Sequence, residues 1–424
     1  MFGWEFPPHI SGGLGTACYG LTKALAGLKD IEVTFVVPRI WGDEDKTHIR
    51  LLGADQVQVV QKQIQFDDPE SKIEYYELHS GLIPYLGTSE FDELKPKLDS
   101  AEKKLVETTP EGKIVFGGDY GQNLFQESQS YAIVAEKLAQ LLDFDVIHVH
   151  DWMTFPAGIA AKRISGKPLV VHIHSTEFDR SGIQVNPVIY NAEKVGMDAA
   201  DQIIAVSNFT RNIIIGNYYI RQEKVLTVYN AVEPFDIKPK SEARNIKGEK
   251  MVLFLGRITS QKGPEYFIDA AKLILQKMKN IQFIMVGKGD LRDKMINKVD
   301  ELNILDHFEF PGFIQDTDVN NLLGSADVFV MPSVSEPFGI VALEAMHAMA
   351  PVVVSRQSGA SEVLQNVLKV DYWNVQQIAD AVLQLLSDSE FKDNMVKDAK
   401  KEVKGLLWKE SASDIRKIYS RLNK

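Results

Sequence analysis

The chain has 424 residues, 45% of them hydrophobic and 25% charged, with a formal net charge of -11. That length exceeds one hydrophobic core and suits two domains, and the composition excludes a disordered or fibrous chain. The acidic balance argues against non-specific binding of nucleic acid, while leaving room for a locally basic pocket. The sole cysteine, Cys18, rules out an intramolecular disulfide and a cysteine-rich metal site. No apolar run approaches the ~18–20 residues that a membrane span requires. Without a basic, apolar leader, the expected compartment is a reducing cytoplasm.

A stub of strand, MFGWEF, opens the chain and is followed by Pro7-Pro8 and the glycine loop SGGLGTAC at 11–18. Either this first strand is short or the true start lies a few residues upstream. From Gly13 the loop reads G-x-G-x-x-C, one residue short of the dinucleotide fingerprint. An NAD site is disfavoured, because the chain detours through Pro7 to Ser11 before the glycines. The next strand also ends in Val37-Pro38-Arg39, where an acid should hold the ribose. What remains is a loop whose amides and helix dipole face an anion, or a plain tight turn.

An apolar-periodic helix, TACYGLTKALAGL, follows the loop. Strand-like runs then appear at 31–38, 145–150, 167–175, 202–207 and 225–230, alternating with helical patterns in the manner of βαβ units. Between 42 and 130 the pattern weakens around a charged stretch that reads as a solvated elaboration of the first domain. Residues 236–250 are charged, contain a proline and lack apolar periodicity, and read as a linker. The alternation resumes with strands at 251–256, 281–287, 308–313, 326–333 and 351–355, and with helices expected from Pro264 and Pro337. The end of the chain is helical by pattern, and Trp408 within it implies that the tail packs back across another element. The expected organisation is α/β: an N-terminal domain over 1–235, a linker over 236–250, a second domain over 251–395 and a helical tail over 396–424.

Four places stand out chemically, since open α/β sheets bind ligands beyond the carboxyl ends of their strands. Besides the glycine loop, GRITSQKG at 256–263 aims Arg257 and Lys262 beyond a buried strand. Two cations there suit a diphosphate, or an ordinary solvated loop. In EPFGIVALE at 336–344, Glu336 sits at a helix mouth with the amides around Phe338 and Gly339. An acid complementing the helix dipole explains Glu336, whereas Glu344, set in an apolar helix, requires a partner or a ligand. In HVHDWMT and VVHIHSTEF, Asp151 and His174 end two consecutive strands. A metal held by His150, Asp151, His172 and His174 is not favoured, because no helical HExxH spacing accompanies them.

Taken together, G-R-x-x-x-x-K-G at 256–263 and E-P-F-G-x-x-x-x-E at 336–344 resemble the donor half of retaining GT-B glycosyltransferases. The similarity is to families 4 and 5, which include the glycogen and starch synthases. It extends over nearly the whole chain through WEFPP and GGLG, HDW at 150–152, HS at 174–175, AVSNFT at 205–210, YNAVE at 229–233, VGKGDL at 286–291 and SGASEVL at 358–364. Family 5 starch synthases carry Lys-x-Gly-Gly-Leu, where this chain has Ile10-Ser11-Gly12-Gly13-Leu14, so the resemblance leans toward family 4. The usual N-G-V-D is N-A-V-E here at 230–233, and QNVLKVDYWNVQQ after SGASEVL is shorter and poorer in glycine than the common pattern.

The resemblance implies two Rossmann-like, doubly wound domains facing across a cleft, with a C-terminal helix packing back on the N-terminal domain. It implies that Arg257 and Lys262 hold a nucleoside diphosphate, that Glu336 faces the donor sugar and that Glu344 holds the ribose hydroxyls. The amides near Phe338 and Gly339 would serve sugar and phosphate, and Gly12 and Gly13 would approach the diphosphate when the cleft closes. His174 would lie by the reacting centre and Asp151 on the acceptor side. The implied reaction is front-face transfer of a hexose with retention, without a metal or a resident cofactor. Glucose from ADP-glucose or UDP-glucose would pass to an oligo- or polysaccharide, as in a glycogen or starch synthase. An alternative acceptor is a lipid-linked or surface glycan, receiving mannose or glucose, although no strong basic membrane face is visible. A silent sugar-nucleotide-binding or glucan-binding protein would be expected to lack Arg257, Lys262 or Glu336. Because neither Lys262 nor Glu336 is expected in a core, replacing either should lower turnover far more than stability.

Overall fold

The computed structural model describes residues 1–9, 12–59, 108–109, 111–121, 123–235, 250–314 and 316–423. Of the linker expected at 236–250, all but its last residue lies outside the described residues, as does most of the charged stretch before residue 113; Lys250 itself opens the first strand of the second unit. The chain divides into two compact units. The first comprises Met1–Val206, Arg211–Val228 and Ser411–Lys424; the second comprises Ser207–Thr210 and Tyr229–Glu410. The unit changes after Val206, Thr210, Val228 and Glu410, whereas the sequence pattern puts domain ends at 235 and 395.

In the first unit the strands are β1 (Thr34–Val37), β2 (Arg50–Gly53), β3 (Ile147–His150), β4 (Leu169–Ile173), β5 (Gln202–Ala205) and β6 (Val225–Thr227). β1 pairs with β2, and β3 to β6 run side by side in sequence order, every pairing being parallel. The opening stub joins the two groups: Phe2 bridges Val36 of β1 on one side and Val149 of β3 on the other. Its amide donates to the His148 carbonyl at 2.8 Å, and its carbonyl accepts from His150 at 3.1 Å. The stub lies where the strand order reverses, which is where a doubly wound sheet opens its binding crevice. The buried Tyr131 fastens this centre, with its hydroxyl donating to the Val36 carbonyl at 2.7 Å and its ring edge-on to Phe2 and Trp4.

The second unit holds β7 (Lys250–Leu255), β8 (Ile281–Val286), β9 (Phe308–Gly312), β10 (Val328–Met331), β11 (Val352–Ser355) and β12 (Leu368–Val370). They form one parallel sheet in the order β12-β11-β10-β7-β8-β9. Strands β2 and β12 are not anticipated: β2 is four residues opening on an exposed Arg50, and β12 has only three residues, two of them half-buried, so no continuous apolar run marks either. The order reverses between β7 and β10, so the loops after these two strands stand together at the switch point. Helix Pro264–Lys277 starts there, with Pro264 pre-set for the first turn and Phe267, Ile268, Ala271, Ile274 and Leu275 buried along one stripe.

The terminal segment is three helices, Val375–Ser387, Ser389–Val403 and Trp408–Leu422. Trp408 is 2% exposed, as an apolar residue packed onto another element should be. Residues from Ser411 onward belong to the first unit, where Arg416 bonds Asp30 at 2.7 Å and Tyr419 bonds His148 at 2.5 Å. Among the described residues, no helix is long and apolar enough to cross a membrane.

Two left-handed glycines differ in what surrounds them. Gly166 ends helix Phe155–Ser165 at φ 69° with open space beside it, whereas a Cβ on Gly263, at φ 67°, would lie 2.1 Å from the Pro332 carbonyl oxygen. Gly166→Ala is expected to cost about 1 kcal/mol, for backbone strain alone. Gly263→Ala should cost clearly more, because the loop after β10 must also move. Urea midpoints of the two variants check the order, and equal losses would contradict it.

Candidate active site

The loop after β7 is built by close backbone contacts. The Ile258 amide donates to the Lys288 carbonyl at 2.8 Å, the Ile258 carbonyl accepts from Leu291 at 3.1 Å, and the Val334 amide donates to the Gln261 carbonyl at 2.9 Å. A single 3-10 turn, Ser260–Lys262, carries Lys262 toward the loop after β10. There Lys262 Nζ meets Glu336 Oε2 at 2.6 Å, with the Ser333 hydroxyl donating to the same oxygen at 3.1 Å. The two side chains are only 20% and 8% exposed. Arg257 lies on the same loop, exposed, and donates to Gln261 Oε1 at 3.2 Å. The Thr259 hydroxyl between them is buried and has no hydrogen-bond partner.

Glu336 is fixed through its backbone as well as its side chain. Its amide donates to the Gln357 carbonyl and its carbonyl accepts from Gly359, both at 2.9 Å, forming a one-residue bridge to Ser358. The helix expected from Pro337 begins instead at Ile340, because Gly339 adopts φ 98° and turns the chain before the first helical residue. The first-turn amides that helix geometry leaves without intrahelical acceptors are therefore those of Ile340 and Val341. Phe338 is buried at the bend, and its carbonyl accepts from Ala360 at 2.7 Å. Glu344 lies half-buried in the second turn of helix Ile340–His347.

In the first unit, Asp151 and His174 stand at the carboxyl ends of β3 and β4, joined through the backbone. Asp151 Oδ1 accepts from the His174 amide at 2.7 Å and the Ser175 amide at 3.4 Å, and its own amide donates to the His172 carbonyl at 3.0 Å. Asp151 holds φ 59°, a conformation that costs a non-glycine residue of order 1 kcal/mol and that this clamp over-determines. Burial pushes its carboxyl up to about 7, against the pull of the His174 amide and the Arg180 charge. Burial also holds His174 down to about 3, so its ring is neutral, and it shares a hydrogen bond with His150 at 3.0 Å.

Behind this pair Arg180 binds Glu177 at 3.1 Å and Glu193 at 2.6 Å, and donates to the Ser175 carbonyl at 3.3 Å. Asp151 and Arg180 thus hold the strand end carrying His174 from both sides. Neither Arg180 nor Glu193 was marked in the sequence; a charge inside a helical pattern carries no local sign that it is buried.

The glycine loop holds an anion supplied by the protein. Glu5 Oε2 accepts from the Gly12 amide at 3.2 Å and the Gly15 amide at 3.1 Å, and Tyr120 donates to its other oxygen. Helix Gly13–Ala26 therefore carries a carboxylate at its positive end, while Gly13 itself has open space beside it. Glu5 is 4% exposed and was not singled out in the sequence, where it stands outside any periodic pattern.

Two family models match the chain: Glycosyltransferase Family 4 over 97–234, and Glycosyl transferases group 1 over 236–402. An uncharacterized glycosyltransferase of Methanocaldococcus jannaschii is 38% identical over 293 residues, 65% of this chain and 75% of that one. Among solved structures, sucrose-phosphate synthase from Thermosynechococcus elongatus superposes with a TM-score of 0.71 at 19% identity, covering 97% of this chain and 94% of its own. Anabaena HepE in complex with UDP-glucose gives a TM-score of 0.63 at 16% identity, covering 98% and 99%. At these identities the two structures show the fold, which is GT-B.

The burial of the Lys262 and Glu336 pair corrects the expectation that neither belongs to a packed region. Removing one partner leaves the other charge withdrawn from water without compensation. Glu336→Ala should lower stability by about 2 kcal/mol, a value reduced for the partial exposure of Lys262. Adding Lys262→Met should recover part of that loss. Chemical denaturation of the single and double variants measures both effects, and an unchanged midpoint in Glu336→Ala would contradict the reading.

Proposed function

Since the chain belongs to the group 1 glycosyltransferases, we propose that the switch point of its second unit binds a nucleoside diphosphate sugar and that the enzyme transfers the hexose with retention. The observation that carries this reading is the pairing of Lys262 with Glu336 beyond β7 and β10, beside Arg257 and the start of a helix. Without a donor the cation and the acid satisfy one another. A diphosphate competes for Lys262, because phosphate oxygens offer a stronger field than one carboxylate. Glu336 is then released to accept hydrogen bonds from the sugar hydroxyls, and Glu344 serves the ribose.

In the step itself the bond between the sugar C1 and the phosphate oxygen breaks while C1 bonds the acceptor oxygen on the same face. The acceptor's hydroxyl proton passes to the departing phosphate. Arg257, Lys262 and the amides of Ile340 and Val341 stabilise the charge that develops there, so the step is written without a metal. The likeness of HS at 174–175 to the family pattern carries the proposal that His174, neutral and fixed by Asp151, is a catalytic residue. The Glu5 carboxylate organises the glycine loop, whose Gly13 the same likeness assigns to the donor. The donor proposed is UDP-glucose or ADP-glucose, and the acceptor an α-glucan; a relative of the same fold is known in complex with UDP-glucose, which makes that donor the first to test.

The test is nucleotide release from UDP-glucose, ADP-glucose and GDP-mannose, each with and without glycogen or a maltooligosaccharide. Acceptor-stimulated release from a glucose donor is expected, with an α-linked product by NMR. No stimulation with any of these pairs would overturn the glucan synthase reading. Arg257→Ala and Lys262→Ala should each lower kcat/KM by about 10²-fold or more, the loss typical of removing one donor to a developing anion. Retention of full kcat/KM in both would remove these residues from the mechanism.

A further inference from the structure

Cys18 lies wholly buried on helix Gly13–Ala26, in the same unit as the ends of β3 and β4. Its Sγ, one ring nitrogen of His150 and one of His174 all lie within 4.8 Å of one another. The two rings touch through His150 Nδ1 and His174 Nε2 at 3.0 Å, which leaves His150 Nε2 and His174 Nδ1 buried without a hydrogen-bond partner. Orphaned buried polar atoms of this kind are rare, and each one needs a reason. Burial, and after it the Glu5 and Asp151 charges, push the Cys18 thiol up, so it keeps its proton until a metal displaces it. A thiol and two neutral imidazoles make a donor set for a soft or borderline divalent cation, and a poor one for Mg²⁺ or Ca²⁺.

We infer that Cys18, His150 and His174 form an inhibitory site for such a cation, Zn²⁺ being the representative ion. Binding is a ligation with a simple balance: the Cys18 thiol loses its proton to solvent, the sulfur and two ring nitrogens each donate a lone pair, and one proton is released per metal bound. A water completes the tetrahedron. Zn–N distances of about 2.0–2.1 Å and Zn–S of about 2.3 Å require ligand atoms about 3.3–3.6 Å apart. Side-chain rotations must therefore draw the three donors together. Both imidazoles are already neutral, since burial holds each well below its usual range, so they bind without giving up a proton. The inhibitory part rests on the assignment of His174 to the reacting centre; the metal site itself does not.

The experiment uses the purified full-length protein, stripped with a chelator and titrated with Co²⁺ and Zn²⁺. One equivalent of metal by elemental analysis is expected, together with a thiolate-to-cobalt charge-transfer band that Zn²⁺ displaces. Cys18→Ser should abolish the band and weaken Zn²⁺ binding about 100-fold, in line with the loss of a strong ligand. If the variant does not fold, the wild-type cobalt spectrum decides alone, because Cys18 is the only thiol in the chain. A wild-type protein with no cobalt-thiolate band, or with no stoichiometric zinc, overturns the site. Stoichiometric zinc with undiminished glycosyl transfer overturns its inhibitory role and counts against His174 at the reacting centre. Inhibition by zinc that Cys18→Ser relieves supports both.

Discussion

A lysine and a glutamate withdrawn from water side by side, at the point where a parallel sheet reverses its strand order, set the terms for the second unit. Lys262 and Glu336 come from loops more than seventy residues apart and are held 2.6 Å from each other. Neither charge is stable there alone, so the two loops must be placed accurately before either residue is tolerable. The glycines around them serve that placement. Gly263 lets its loop press against Pro332, and Gly339 turns the chain so that the helix begins past the acid. An ion pair of this kind is modest as a source of stability, because desolvation offsets most of the attraction. Under the proposed function its value is instead that of a preorganised cation and acid, each exchanging its partner for part of the donor.

The first unit reaches the same end by a different device. Its strands are largely apolar runs, with His148 and His172 enclosed inside β3 and β4, and the residues just past their ends are tied together through the backbone. Asp151 accepts the amides at the end of β4 and Arg180 donates to the next carbonyl, so the ring of His174 inherits its position from two charges it does not touch. Glu5 does the same for the glycine loop. Buried charges are costly to place on flexible segments, and here each has several backbone partners, which is the condition under which burial becomes tolerable.

The sequence was most legible where physics repeats. Buried parallel strands announce themselves as apolar runs, so every strand from β1 to β11 except β2 is located to within a few residues, and the loops carrying Lys262 and Glu336 follow as the ends of those runs. Legibility failed where an outcome depends on a distant partner. β12 has three residues and little apolar signal. The start of helix Ile340–His347 turns on one positive φ at Gly339, against the ordinary preference of Pro337 for a first turn. Burial of Glu5, Arg180 and Glu193 could not be read, because a charge looks the same in sequence whether solvated or enclosed. The near-match to a dinucleotide fingerprint misled for a related reason. The glycines do present amides to an anion, but that anion is Glu5, seven residues before Gly12.

The most direct test of the central claim is calorimetric titration of nucleotides against the wild-type protein and Lys262→Ala. For whichever base binds best, the nucleoside diphosphate should bind at least tenfold more tightly than the monophosphate in the wild type, and that preference should collapse in the variant. A preference of equal size in Lys262→Ala, in a variant shown to be folded, would contradict the assignment of this switch point to the diphosphate.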